Sequence, residues 1–192
     1  MRVGIFGGTF NPIHYGHLRV AEEVREKIDL DTILFIPSGN PPLKSADLAP
    51  PEHRYEMTRR ALEANPLFSI SDLECRQKEK AFTVKTLRAL KEEHPEYESY
   101  LILGIDSFLE IPLWYQPEQI MELTHFVVVS RPGFSFASLS QEIPADITIL
   151  SALDTGKRGL YRTTTKTGRE LVLLKVTALD ISATGIRKLV QS

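Results

Sequence analysis

Cysteine is almost missing from this chain of 192 residues, which contains one, Cys75. A single thiol excludes an internal disulfide framework and a zinc site made of cysteines. Long apolar runs are missing as well, because no segment approaches the roughly 18 residues that a membrane-spanning helix needs. The amino terminus has no basic region followed by an apolar core, as a signal peptide would have. These absences predict a cytoplasmic protein with no membrane partner.

An excess of charge of either sign is missing too. The chain has 23 Lys and Arg residues against 25 Asp and Glu residues, a formal net charge of −2. A nearly neutral chain gives no electrostatic reason to expect nucleic acid or a membrane surface as a partner. Its 42% hydrophobic and 25% charged residues are average for a globular protein. We expect residues 1–192 to form a single domain.

The two best-known glycine motifs for nucleotide phosphates are absent. No Gly-Lys-Ser/Thr follows the glycines near the amino terminus, which excludes a P-loop, and Gly-x-Gly-x-x-Gly is missing there. In their place the chain has Gly-Gly-Thr-Phe-Asn-Pro-Ile-His-Tyr-Gly-His over 7–17, between an apolar run at 3–6 and an amphipathic segment at 18–28. A strand, a glycine turn and a helix start form a phosphate site, because a helix amino terminus presents unpaired N–H groups.

His14 and His17 lie three residues apart at the predicted helix start, where both can face the same ligand. The glycines Gly7 and Gly8 would let the backbone approach that ligand without a Cβ atom in the way. The alternative is an ordinary strand-to-helix turn that carries two surface histidines. The combination of glycines, proline and paired histidines favours the phosphate site.

Apolar runs and amphipathic segments alternate along the chain. The apolar runs predict strands at 3–6, 32–37, 68–71, 99–103, 125–130, 147–150 and 170–176. The amphipathic segments predict helices at 18–28, 52–64, 83–94 and 118–123, with Thr83 capping the third, and a last helix capped by Ser182 or Thr184. This alternation predicts an α/β fold with a doubly wound, mostly parallel sheet. Ligands of such folds bind beyond the carboxyl ends of the strands.

Several side chains outside the glycine turn are candidates for binding. Asp106 follows a predicted strand and suits a ribose hydroxyl or a metal, or alternatively caps a helix. Lys44, in a proline-rich loop, is either a phosphate contact or an ordinary surface lysine. Trp114 lies in a loop near Asp106 and is either a stacking platform or a core residue.

The end of the chain carries a second group of polar residues. Ser182, Thr184 and Arg187 would offer hydroxyls, a cation and the N–H groups of a helix start to a polyphosphate. A capped terminal helix with a solvated arginine is the alternative. Before it, residues 151–180 contain a basic hairpin or loop insertion, with its cations between 157 and 169. Without interleaved aromatics or overall positive charge, this insertion is interpreted as a solvated protrusion rather than a nucleic-acid contact.

Together these motifs resemble those of the bacterial nicotinate-nucleotide (nicotinate mononucleotide) adenylyltransferases, nucleotidyltransferases with a His-x-Gly-His motif. The resemblance covers nearly the whole chain and rests on the segments 7–17, 41–44, 104–108, 112–114, 130–133 and 181–187. It implies a Rossmann-like nucleotidyltransferase fold and transfer of the adenylyl group of ATP to nicotinate mononucleotide. The products would be deamido-NAD and pyrophosphate, in NAD biosynthesis, and Mg²⁺ would accompany the ATP.

The resemblance also implies roles for individual residues. It implies that His14, His17 and Arg187 are catalytic through their contacts with the ATP phosphates. It implies further ATP contacts at Gly7, Gly8, Thr9, Phe10, Gly104, Asp106, Ser182 and Thr184. The acceptor would be bound by Trp114, which would stack on the pyridine ring, and by Lys44, Thr83, Tyr115 and Arg131. We expect no protein side chain to ligate the metal.

Two departures from the family pattern and two rival functions accompany this interpretation. Leu43 stands where the family usually has a histidine, and the chain ends at Ser192, where relatives usually continue. One rival is an adenylyltransferase for another phosphate acceptor, such as phosphopantetheine. The other is a nucleotide-sensing regulatory module that binds ATP without turnover. The sequence leaves the formation of a homo-oligomer open.

Overall fold

The computed structural model describes residues 1–41, 48–77 and 79–191. Its strands are β1 Arg2–Gly8, β2 Thr32–Pro37, β3 Phe68–Ile70, β4 Glu98–Gly104, β5 His125–Val129, β6 Leu160–Thr164 and β7 Glu170–Leu174. Its helices are α1 Tyr15–Ile28, α2 Pro51–Leu62, α3 Thr83–Glu93, α4 Ile105–Leu109, α5 Pro117–Leu123, α6 Ile147–Asp154 and α7 Ala183–Gln191, with 3₁₀ turns at Ile111–Leu113 and Phe136–Leu139. None of the helices described is long and apolar enough to cross a bilayer.

The seven strands form one sheet in the order β3-β2-β1-β4-β5-β7-β6. Neighbouring strands are parallel except β6 and β7, which form an antiparallel hairpin. The chain runs outward from β1 to β3 and then returns to place β4 on the other side of β1. That reversal opens a crevice beyond the carboxyl ends of β1 and β4. The predicted α/β fold with a doubly wound, mostly parallel sheet is confirmed, and the segments that follow β1 and β4 start at this crevice.

The central strands are buried on both faces of the sheet. In β5, Phe126 and Val128 belong to the apolar cluster on one face, and Val127 and Val129 to the cluster on the other. Their sequence is therefore an unbroken apolar run instead of an alternation. Burying one such side chain contributes roughly 1.5–3 kcal/mol. The two apolar layers thus hold the strands, and with them the loops at the sheet edge, in fixed positions.

The predicted strand at 147–150 is wrong, because these residues begin helix α6. The Asp146 carboxylate accepts a hydrogen bond from the Thr148 N–H (2.7 Å) and so caps the helix start. Leu150 and Leu153 are buried, three residues apart on one helical face. Four apolar residues fit a strand or a buried helical turn equally well, so the run alone could not decide.

The prediction that Thr83 caps α3 is also wrong. The cap residue is Phe82, which makes no side-chain capping bond, and Thr83 is the first helical residue. In contrast, Ser182 does cap α7, because its Oγ accepts a hydrogen bond from the Gly185 N–H (3.0 Å). The start of the last helix is therefore defined by a hydroxyl, as the sequence predicts.

The segment 151–180 contains strand β6, which no apolar pattern in the sequence revealed. At the tip of the β6–β7 hairpin, the Thr167 hydroxyl donates to the Met121 carbonyl (2.6 Å) and Arg169 Nε donates to the Glu122 carbonyl (2.8 Å). These carbonyls lie at the carboxyl end of α5, where a helix favours a cation. Arg169, one of the basic residues of this segment, therefore binds the end of α5 in the same chain.

Candidate active site

The turn after β1 is shaped by Gly8 and Phe10. A Cβ atom on Gly8 would lie 2.8 Å from the Phe10 ring, so a larger residue would push that ring away. Phe10 has a φ of 44° and is 3% exposed. Its ring meets the ring of His17 edge-on, with centroids 5.1 Å apart. A contact of Phe10 with a nucleotide would therefore come from its backbone.

The two histidines of the motif lie against each other at the start of α1. Their rings stack with centroids 3.8 Å apart and an interplanar angle of 29°. The backbone N–H of His14 donates to Nδ1 of His17 (3.2 Å), so a neutral His17 carries its proton on Nε2. Burial lowers the pKa of His14 from its ordinary value, so this ring is neutral at pH 7. The pair therefore offers the neutral imidazole of His14 and the Nε2 edge of His17 beside a helix amino terminus.

Gly16 lets the His14 ring lie close to the first turn of α1. A Cβ atom on Gly16 would lie 2.9 Å from Nδ1 of His14. The Nδ1 edge of that ring therefore faces the helix, and we infer that the ring meets a ligand through Nε2. The same Cβ position lies 3.9 Å from the Ile181 carbonyl oxygen. The segment that leads into α7 thus passes next to the start of α1.

Arg187 joins the end of the chain to the turn after β1. Its Nη1 donates to the backbone carbonyl of Asn11 (2.6 Å), 176 positions away, and its Nη2 donates to Oγ1 of Thr184 (3.3 Å). Ser182 and Thr184 are both exposed. The first and last sequence motifs therefore form one polar surface at the carboxyl end of β1.

An ion pair occupies the other side of the crevice, after β4. Asp106 Oδ2 lies 3.1 Å from Nη1 of Arg131. A Cβ atom on Gly104 would lie 2.4 Å from Asp106 Oδ1 and 3.3 Å from Cδ of Arg131, so only glycine permits this approach. Helix α4 is capped by Gly104, and Asp106 lies within it, so the alternative that Asp106 is a cap is wrong. The pair brings together Asp106, which is expected to contact ATP, and Arg131, which is expected to contact the acceptor.

The loop that holds Trp114 and Tyr115 contacts the start of α3. The rings of Phe82 and Tyr115 have centroids 4.8 Å apart, next to Thr83 as the first residue of that helix. Tyr115 is 49% exposed, whereas Trp114 is half-buried against an apolar cluster. Thr83 and Tyr115 are thus neighbours in space. Lys44, the remaining residue of the predicted acceptor group, lies outside the described residues.

The whole chain is similar in sequence to known nucleotidyltransferases. The cytidylyltransferase-like family model matches residues 5–189. The probable nicotinate-nucleotide adenylyltransferase of Syntrophotalea carbinolica is 42% identical over 191 residues, covering 99% of this chain and 86% of that protein. Its counterpart in Geobacter metallireducens is 41% identical over 190 residues, covering 98% of this chain and 87% of that protein. The chain belongs to the nicotinate-nucleotide adenylyltransferase family.

A solved structure from the same family agrees in fold. Plasmodium falciparum nicotinic acid mononucleotide adenylyltransferase, complexed with NaAD, matches this chain with a TM-score of 0.71 at 24% identity. The match covers 97% of this chain and 82% of that chain. The expected Rossmann-like nucleotidyltransferase fold is therefore confirmed. The sequence relatives confirm the resemblance that the motifs carry. The protein is a nucleotidyltransferase enzyme by family.

Two buried polar residues next to the turn were not predicted from the sequence. Arg54 in α2 is 1% exposed, and its guanidinium donates to the carbonyls of Thr9, Gly39 and Ala49. Asn11 is 6% exposed, and its Oδ1 accepts a hydrogen bond from the Ala49 N–H (3.2 Å). An arginine in an amphipathic helix is usually a surface residue, so no sequence signal marked Arg54. Asn11 lies inside the first motif, which was the available signal for it.

The side chains at the crevice suit phosphate oxygens better than a metal ion. In the parts of the chain that the structure describes, no three His, Cys, Asp or Glu side chains converge into a metal-binding group. The turn and α7 instead present imidazole, hydroxyl and guanidinium groups, which bind phosphate. Nucleotidyltransferases use a divalent metal with ATP. This donor set fits a cation that arrives already bound to the phosphates.

Proposed function

We propose that this protein transfers the adenylyl group of ATP to nicotinate mononucleotide, forming nicotinate adenine dinucleotide (deamido-NAD) and pyrophosphate in NAD biosynthesis. The observation that carries the proposal is the hydrogen bond from Arg187 to the carbonyl of Asn11. It joins the polar start of α7 to the histidine turn, at the crevice where α/β folds bind their ligands. In a member of this family, that arrangement supports binding of a polyphosphate for adenylyl transfer.

The reaction asks for positioning rather than proton transfer. A phosphate oxygen of nicotinate mononucleotide attacks the α-phosphorus of ATP and forms a new P–O bond. The bond from that phosphorus to the bridging oxygen breaks, and pyrophosphate leaves with the electron pair. Because the attacking phosphate is already anionic, no side chain has to remove a proton. The protein must align two polyanions and stabilise the charge on the α-phosphate and the leaving group.

In this proposal the ATP phosphates lie between the starts of α1 and α7. The backbone of residues 7–10 lines the nucleotide, and His14 and His17 donate to the phosphates. Ser182, Thr184 and Arg187 hold the β- and γ-phosphates, with the N–H groups at the start of α7. A guanidinium has five N–H donors, so the two hydrogen bonds described for Arg187 leave others for phosphate oxygens.

The adenosine side of ATP is assigned to Gly104 and Asp106. The Asp106 carboxylate lies just beyond a parallel strand and would accept a hydrogen bond from a ribose hydroxyl. Its ion pair with Arg131 orients the arginine, which would act as a supporting cation for the acceptor. The lack of a Cβ atom at Gly104 leaves room for both side chains in this arrangement.

The acceptor side is assigned to the start of α3 and the neighbouring loop. Trp114 would stack on the pyridine ring with its exposed part. Backbone N–H groups near Thr83 and Tyr115 would meet the nicotinate carboxylate, because a helix amino terminus favours an anion. The contact between the Phe82 and Tyr115 rings supports this assignment, since it brings the two segments together. Lys44 is kept as a second supporting cation.

We propose Mg²⁺ as the metal, bound through the phosphates of ATP. When bound, it would supply positive charge to the phosphates and ease the departure of pyrophosphate. This chain would hold it indirectly, by holding the phosphates with His14, His17 and Arg187. The imidazole and guanidinium groups of the site fit that task and leave the coordination positions of the cation to oxygen atoms.

Pyrophosphate release tests the proposed function. The protein is given ATP and Mg²⁺ with nicotinate mononucleotide, nicotinamide mononucleotide or phosphopantetheine, and the product is identified by its mass. We expect strong turnover with nicotinate mononucleotide, which would also show that Leu43 is tolerated. Turnover with phosphopantetheine alone would instead identify a different adenylyltransferase. ATP binding without turnover on any acceptor would support a nucleotide-sensing module.

A further inference from the structure

Arg54 is a buried cation that hydrogen-bonds three separate backbone segments. Its Nη1 donates to the Thr9 carbonyl (2.8 Å), its Nη2 to the Gly39 carbonyl (2.8 Å) and its Nε to the Ala49 carbonyl (2.9 Å). Burial lowers the pKa of Arg54, but an arginine stays protonated in a protein. All three are therefore charge-assisted hydrogen bonds, which are about twice as strong as neutral ones.

The three carbonyls belong to parts of the chain that meet at the crevice. Thr9 lies in the turn that is proposed to line ATP. Gly39 and Ala49 lie near the two ends of the connection between β2 and α2. A Cβ atom on Gly39 would lie 2.0 Å from the Glu74 carbonyl oxygen, so this end is packed tightly against the 72–76 turn. The planar guanidinium thus connects the turn at Thr9 to the tightly packed segment at Gly39 with a fixed geometry.

Asn11 forms a second contact between the turn after β1 and the β2–α2 connection. Its Oδ1 accepts from the Ala49 N–H (3.2 Å), and its carbonyl accepts from Arg187 (2.6 Å). A shift of the turn at Thr9 would therefore also move the group that receives Arg187. The position of the last motif depends on the same turn that Arg54 holds.

We propose that Arg54 is a positioning residue for ATP, which holds the turn at Thr9 so that the backbone of residues 7–10 and the rings of His14 and His17 meet the phosphates. The proposal rests on the proposed function, because it concerns the ATP turn of that same site. Arg54 is 1% exposed and acts through the carbonyl of Thr9. A misplacement of about 1 Å in a phosphate-transfer site is enough to cost a large part of the rate.

Three variants test this role. Arg54→Lys keeps a positive charge, but a compact ammonium cannot span three carbonyls as the fork of arginine does. Arg54→Met keeps an apolar stem and has no donor. The matched control is Arg60→Met in the same helix, because the Arg60 side chain is 72% exposed and bonds Glu56 on the surface. The dissociation constant of ATP is measured by calorimetry without acceptor, and kcat and KM are measured where circular dichroism shows each variant folded.

For Arg54→Met we expect the dissociation constant and the KM of ATP to rise at least about tenfold, with a smaller change in the KM of the acceptor. Arg54→Lys should lie between Met and the unchanged protein, and Arg60→Met should match the unchanged protein. If Arg54→Met does not fold, Arg54→Lys decides. A folded variant that keeps the original ATP affinity and KM, and loses kcat only in proportion to its unfolded fraction, would overturn the proposal. ATP binding is measured without turnover, so a failure of the proposed reaction would be recognised separately.

Discussion

The two ends of the sheet carry similar side chains, but those side chains are used differently. At the amino end, the Tyr100 hydroxyl is hydrogen-bonded with Arg2 (3.0 Å), Glu98 (2.9 Å) and Glu170 (3.0 Å). The backbone N–H of Glu170 donates to Nδ1 of His125 (2.8 Å). Burial raises the pKa of Tyr100 to about 12, so its hydroxyl keeps its proton. These groups satisfy one another and leave little capacity for a ligand.

At the carboxyl end, two cations, Arg54 and Arg187, are held by backbone carbonyls, whereas Arg131 is paired with the Asp106 carboxylate. Arg187 bonds the carbonyl of Asn11, and Arg54 bonds the carbonyls described above. A carbonyl fixes a guanidinium in place without cancelling its charge. The exposed hydroxyls of Ser182 and Thr184 lie beside Arg187. Cations at the amino end, such as Arg2 and Arg169, also bond backbone carbonyls. The contrast teaches that the candidate phosphate site is marked by a cation beside exposed hydroxyls at a helix start, rather than by the residue types alone.

The amino end of the sheet also has a cavity. A cavity of about 290 Å³ lies at the amino end and is lined in part by His94, Glu98 and His125. His94 pairs with Glu96 (3.5 Å), and Nε2 of His125 lies 3.9 Å from Glu98. Carboxylates thus lie next to these imidazoles and would repel a phosphate group. The presence of a cavity therefore does not by itself identify the ligand site.

The largest expected effect comes from replacing His17 at the carboxyl end of the sheet, with a histidine at the amino end replaced as a control. We expect His17→Ala to lower kcat at least about tenfold with the fold intact, because one preorganised donor to a developing charge is lost. His94→Ala is the matched control, since its ring stacks on Tyr97 at the amino end. The measurement is pyrophosphate release, with circular dichroism for folding. Turnover near the original level in His17→Ala would remove the phosphate role.

A second effect concerns Arg187. We expect Arg187→Met to lower kcat/KM for ATP roughly tenfold, because a charge-assisted contact to phosphate is lost together with the bond to Asn11. Arg187→Lys should recover part of the loss through its charge. Lys188→Met, next in sequence and exposed, serves as the control. If Arg187→Met and Lys188→Met gave equal activity, Arg187 would not be a phosphate ligand.

A smaller effect is expected when the Asp106–Arg131 pair is disturbed by one methyl group. Gly104→Ala places a Cβ atom 2.4 Å from Asp106 Oδ1, so the carboxylate must move. We expect a several-fold rise in the KM of ATP, measured by initial rates. Gly159→Ala is the control, because no atom lies within 4 Å of a Cβ atom there. An unchanged KM in Gly104→Ala would argue against the ribose contact of Asp106.

The smallest effect is a pH dependence of stability at the amino end. Burial lowers the pKa of His125 below its ordinary value of 6.5, so the unfolded chain binds the proton first. This contribution to stability is complete above pH 6.5 and is lost as the pH falls through 6.5 towards the lower pKa of the folded state. We expect His125→Gln to lose less stability than the unchanged protein between pH 7.5 and 5.5 in denaturant unfolding. Equal losses would show that His125 is not a source of this dependence.

The fold was predictable because its central strands are buried on both faces, which makes them unbroken apolar runs between amphipathic helices. Strand β6 (Leu160–Thr164) escaped prediction because its residues are mostly polar and only partly buried. The four apolar residues at 147–150 were assigned to a strand because a short apolar run has no distinguishing period.

The proximity of candidate site residues was predictable where a motif is continuous in sequence, as for His14 and His17. It was not predictable where distant residues meet. The Asp106–Arg131 pair and the Arg187–Asn11 bond join segments that no local pattern connects. Arg54 occupies a helical position that suits a surface residue, and its burial comes from packing against the turn at Thr9 and the two ends of the β2–α2 connection. Tertiary contacts, rather than residue type, define these roles.

The most direct test of the central claim is a titration of the imidazole NMR signals with ATP and Mg²⁺. The chain has five histidines, of which His14 and His17 lie at the carboxyl end of the sheet and His94 and His125 at the amino end. We predict saturable shifts of His14 and His17, with His94 and His125 unchanged. Shifts confined to His94 and His125 would place the nucleotide at the opposite end and contradict the assignment of the site.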